Sequence, residues 1–137
     1  MKPHRIVCVF LLLILAVSCQ TTSKFSKVVI FYVPFQFTSN EAVTPENIKD
    51  KANSIAITDK RTLNYLDKLL AKSREGPGFD RKRVRLLIIM GPGDRTVWTD
   101  DEGNLLEANQ ERRLGREQFD QLQNLVSAAV ATGGEMR

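Results

Sequence analysis

Cysteine and histidine are scarce in this 137-residue chain, and the few there are stand at one end. Cys8, Cys19 and the single histidine, His4, all fall within the first 19 residues. Residues 20–137 therefore have no thiol for a disulfide, a redox pair or a metal site, and their fold must be held by a core. Without an imidazole they can build no Ser-His-Asp or Cys-His arrangement and no His-ligated zinc. Most hydrolase designs fall with those groups, so the expectation is a protein that is no enzyme and takes no cofactor or metal. A run long enough to span a membrane is also missing. The apolar stretch from Ile6 to Leu15 is shorter than the about 20 residues needed to cross roughly 30 Å of hydrocarbon.

What stands at the start has its own pattern. Lys2 and Arg5 precede the apolar run, the small-residue segment Ala16, Val17, Ser18 follows it, and Gln20, Thr21, Thr22 and Ser23 are polar. That is the plan of a secretory signal. Residues 16–19 read Ala, Val, Ser, Cys, and here the chain resembles bacterial lipoproteins, whose signal peptides end in a lipobox closing on cysteine. Ala16 stands where leucine is usual. The resemblance implies cleavage before Cys19, a diacylglyceryl group on its thiol and acylation of the new amino terminus. More than one acyl chain makes such an anchor stable, since each buried methylene contributes about 0.8 kcal/mol. An ordinary signal peptide cut at the same bond, with Cys19 left as a free thiol, is the alternative reading. Gln20 in place of aspartate implies, by the same resemblance, the outer membrane with the protein facing the periplasm.

Removal of residues 1–18 takes away Lys2 and Arg5 and no acid, leaving 18 basic residues against 16 acidic ones and lowering the formal balance from +4 to +2. A near-neutral chain in the envelope is not expected to bind nucleic acid. The expected organisation is a signal over 1–18, a lipidated cysteine and short tether over 19–27, one domain over 28–132 and a flexible tail over 133–137. The tether from Gln20 to Lys27 reaches at most roughly 30 Å at about 3.5 Å per residue, so the domain works close to its membrane.

Within the domain, Val28 to Val33 fills both alternating faces with apolar residues and predicts a central strand ending at Pro34. Thr44, Pro45 and Glu46 predict a short helix reaching about Ala52, with Thr44 as N-cap. Ser54–Ile57 is a brief strand. Thr58 or Asp59 then caps a helix whose buried face is Leu63, Leu66 and Leu70, widened by Tyr65 and Leu69. Gly76, Pro77 and Gly78 break the chain. Leu86–Met90 is a second apolar strand, Thr96–Thr99 a third after a glycine-proline turn, and Leu105 and Leu106 follow a hairpin turn at Gly103 or Asn104. Glu107–Arg116 reads as an exposed connection or frayed helix start. Phe119, Leu122, Leu125, Val126, Ala129 and Val130 mark a terminal helix closed by Gly133 and Gly134.

Motifs that carry chemistry are weak. Gly91–Arg95 lacks the G-x-x-x-x-G-K-[ST] phosphate loop, and Asp100, Asp101 and Glu102 do not hold the register of a calcium loop. The same acids with Asp94 are the only carboxylate pair for glycoside hydrolysis, and nothing in the sequence raises either pKa.

The expected fold is α+β, a small mixed or antiparallel sheet with helices packed on one face, in which Val28–Val33 and Leu86–Met90 are neighbours. The expected activity is protein binding. Such a lipoprotein resembles, in size and location alone, the immunity proteins paired with type VI secretion lipase effectors, which implies neutralisation of a toxin or hydrolase. The alternative is an accessory subunit of an envelope secretion or cell-wall assembly. The candidate contacts are Phe35 and Phe37, the arginine-rich strand end Arg81, Arg83 and Arg85, which alternation would place on one face, and the acidic turn at Asp100 and Asp101.

Overall fold

The two apolar runs do become neighbours. In the structure, a computed structural model that describes residues 24–36 and 40–133, β1 (Lys27–Tyr32) pairs antiparallel with β4 (Val84–Gly91), Ile30 lying opposite Ile88 and Val28 opposite Met90. The expected signal segment, Cys19, Phe37 and Gly134 lie outside the described residues. β2 (Asn53–Ile57) adds to the free side of β1, and β5 (Arg95–Asp100) to that of β4. Then come β6 (Asn104–Glu107), β7 (Gln110–Arg113) and the two-residue β3 (Arg74–Glu75). The result is one seven-stranded antiparallel sheet in the order β2-β1-β4-β5-β6-β7-β3, and an α+β fold.

Period-two alternation decides which side chains enter which core. On one face Ile30, Ile55, Leu86, Ile88, Val97 and Leu105 are buried beneath two helices, α2 (Lys60–Ala71) and α3 (Arg116–Ala131). The leucine stripe of α2 and the Leu122, Leu125 and Val126 stripe of α3 close over them. Asp59 caps α2 by accepting the Thr62 amide at 3.0 Å, and Gly133, at φ +71°, follows the end of α3.

The opposite face has a thinner cover. Val33, Val43, Ile48, Phe79, Val84, Leu87 and Leu106 form a second, smaller core around α1 (Ile48–Lys51). A four-residue helix is only about 6 Å long and cannot roof a sheet of this width. Phe31, Ile89 and Trp98 consequently stay half-buried at its rim. Helices therefore lie on both faces, not one, and the second face of β1 is only partly covered.

Three local expectations are corrected. The helix expected from Thr44 starts at Ile48, because residues 44–47 close a turn: the Asn47 side chain accepts the Thr44 amide at 2.7 Å, and the Thr44 carbonyl accepts from Asn47 and Ile48. Tyr65 lies off the leucine stripe of α2 and is 46% exposed. Glu107–Arg116 is no simple connection but the β6–β7 hairpin, turning through Ala108 and Asn109, both at positive φ, before the start of α3.

Candidate protein-binding surface

Strand register gives the domain two poles. Lys27, the first residue of β1, lies opposite Gly91, where β4 turns into β5. Five residues later, about 17 Å along the strand, Tyr32 lies opposite Leu86, and the Val33 amide donates to the Arg85 carbonyl at 2.9 Å. The first pole receives the chain from its N-terminal segment. The second gathers segments far apart in sequence: Pro34 and Phe35, the 80–83 turn, the 100–104 turn and the start of α3. Val43 bridges to Arg83, and Gly103 lies under Phe119.

The centre of this far pole is a carboxylate that makes no surface. Asp100 is 1% exposed. One oxygen accepts the amides of Glu102 and Asn104, each at 2.9 Å, and the other accepts the Asp80 amide at 3.0 Å and the Asn104 side-chain amide at 2.9 Å. The burial cost of the charge is offset by four N–H donors, and in return the 100–104 turn is locked to the 80–83 turn. Gly103 completes it at φ +85°; a Cβ there would lie 2.8 Å from the Phe119 ring. The contact role expected of Asp100 is thus corrected: it is a hidden staple. Its commitment to four protein donors also leaves it unsuited to the calcium and carboxylate-pair readings, and no group of three or more His, Cys, Asp or Glu that could hold a metal occurs among the described residues.

The arginines are spent locally as well. The strand begins at Val84 and shifts register between Val84 and Leu86, so Arg81, Arg83 and Arg85 do not share a strand face as alternation suggested. Arg81 reaches Glu46 at 2.7 Å. Arg83 grips one Asp101 oxygen with Nε at 2.8 Å and Nη2 at 2.6 Å, a contact that raises its pKa above the ordinary arginine value. Arg85 is half-buried and donates to the Val84 carbonyl at 3.1 Å. Phe35 is half-buried too, edge-on to Phe119 with ring centres 5.5 Å apart, so it belongs partly to the core. Arg81, Arg83, Asp101 and Phe35 are nonetheless brought to one pole, while Phe37 lies outside the described residues.

Sequence reasoning passed over a second group at the same end of the sheet. A cleft of about 1070 Å³ opens between the end of α2, β3, β7 and the start of α3. Lys72, Arg74, Arg113 and Arg116 line it, and none of these side chains forms an ion pair among the described residues. Arg74 and Arg113 are direct partners across the β3–β7 pair. Glu75 and Glu102 are the acids of the lining, and Glu102 already faces Arg83 at 3.5 Å. The density of arginine in residues 112–116 was a usable signal; its meeting with Lys72 and Arg74, some forty positions earlier, was not.

No family model matches the chain, and no curated protein or solved structure matches it. No helix among the described residues is long and apolar enough to cross a membrane.

Proposed function

We propose that the chain is a lipid-anchored envelope protein, held through Cys19 on the periplasmic face of the outer membrane, that acts by binding another protein and is no enzyme. The most specific form of this reading is an immunity or inhibitor protein that neutralises a toxin or hydrolase. One observation supports it above the others: Arg81, Arg83, Asp101 and Phe35, distant in sequence, collect at the pole opposite Lys27, the pole that a tether entering at β1 would turn away from the bilayer. Locking of that pole by Asp100 and by the Arg83 pair favours binding, since a surface already ordered loses little freedom on docking. Inhibition would follow from covering the target's active site, which demands shape and charge and no catalytic group on this chain.

The test is capture with the chain from residue 19 onward carrying Cys19→Ser, against envelope extracts and a supernatant of secreted proteins. A single stoichiometric hydrolase or toxin whose activity falls on binding is the expected result. Retention of several envelope subunits instead, with no activity lowered, would replace the inhibitor reading by that of an assembly accessory. The half-covered sheet face at Phe31, Ile89 and Trp98 favours this second reading, because it offers one more surface than an inhibitor needs.

A further inference from the structure

Among the described residues, four basic side chains are paired with acids and four unpaired ones gather in a single cleft. Lys51, Arg81, Arg83 and Arg95 each have an acid of the same chain as partner. Among the described residues Lys72, Arg74, Arg113 and Arg116 have none, which is equally true of Lys60, Arg61 and Lys82, but these four line one cleft. Chance scatter of exposed cations would not require Arg74 and Arg113 to lie directly opposite each other, an arrangement that repels and weakens the pair of strands carrying it. Local cost of this kind is found where a surface serves something other than folding.

We infer that this cleft is the recognition site for a carboxylate-rich segment of the partner protein. The inference rests on the protein-binding reading above and adds the chemistry of the partner. Guanidinium forks engage carboxylates through paired N–H donors, which gives direction as well as charge, and the lysine adds a movable point charge. A volume of about 1070 Å³ accommodates several residues of an extended segment and exceeds what one small anion fills. A phospholipid headgroup fits the position poorly, since the cleft stands at the Asn104–Arg113 end of the sheet, away from Lys27.

The test titrates the full chain in neutral detergent at low salt with three probes: an octaglutamate peptide, inorganic phosphate and a dispersed short-chain phosphatidylglycerol. Octaglutamate should bind in the micromolar range and weaken by about tenfold or more in the double variant Arg74→Glu/Arg113→Glu. The control Lys60→Glu/Arg61→Glu makes the same change in net charge at the start of α2 and should alter binding by less than about twofold. If the first double variant loses its cooperative melting transition, Lys72→Glu/Arg116→Glu takes its place, because those two residues sit at helix ends and outside the strand pair. Equal loss in the control, binding unchanged in the cleft variant, or binding of phosphate or phospholipid without octaglutamate would each overturn the inference. A hydrolase captured with undiminished affinity by the cleft variant would leave the protein-binding reading standing and remove the acidic recognition alone.

Discussion

Adjacent residues of β4 look onto two different kinds of interior. Ile88 points into the helix-covered core and is fully buried, whereas Ile89 points to the thinly roofed face and is half-exposed. Two helices of 12 and 16 residues close the first side; one of four residues and isolated loop positions such as Val43 and Phe79 close the second. The first side therefore holds the larger core, and rim positions of the second such as Ile89 can change with less loss. A sheet covered equally on both faces would have no such division.

The comparison is broken most severely at Ile88. Ile88→Ala should cost about 3–5 kcal/mol of unfolding free energy in urea, and Ile89→Ala about 1 kcal/mol or less. Equal costs at the two positions would remove the distinction between the faces. Asp100→Ala, which leaves four N–H groups without their acceptor, two of them buried, should cost about 2–4 kcal/mol by the same measurement, more than removal of any other acid. Ile48→Ala, which empties the centre of the thin core, is expected at about 2–3 kcal/mol, and a value above that for Ile88 would reverse the ranking. Gly103→Ala combines a positive φ with a contact on Phe119 and should cost about 1–3 kcal/mol. Arg81→Ala should leave the urea midpoint unchanged within error, since both ends of the Arg81–Glu46 pair are mostly exposed.

Acid has the smallest and most diffuse effect. Glu41, beside Lys51, Glu46, bonded to its own amide and to Thr44 and Arg81, and Asp59, bonded to Thr62, are all held below the usual carboxylate range. Their stabilising contribution is complete above the unfolded values of about 4 and lost as pH falls through the lower folded values. A melting temperature flat from about pH 7 to 5 and declining below about pH 4 is expected; the decline should soften in Asp59→Ala.

The fold was legible where one strand or helix declares itself by its own residues. β1 and β4 show it by β-branched alternation, and Asp59 and the leucine stripe show α2. β7 does not, because Gln110–Arg113 contains no apolar residue, and its hairpin turns on Ala108-Asn109 where Asn-Gly is the usual signal. β3 is two residues long and exists only because β7 is there to pair with it. The site was legible in the same uneven way. Charge counting marked Asp100 as surface, since nothing local shows four N–H donors converging on it. Reading Arg81–Arg85 as one extended strand gave them a common face that the turn before Val84 and the register shift after it remove. The basic cleft was hidden for a further reason: it joins residues 72–74 to 113–116 through a sheet edge that the sequence does not announce.

The pairing of β1 with β4 also sets the order in which the protein can come into being. A chain grows from its amino end, so Val28–Tyr32 is made early, while the strand that completes its buried face begins only at Val84. β2 can join it sooner, but a two-stranded ribbon is at best marginal in water. Until residues 84–91 arrive, the apolar Val28–Tyr32 segment has nowhere to hide. That interval is a hazard: an apolar strand made early must be shielded from its neighbours until its partner has been made.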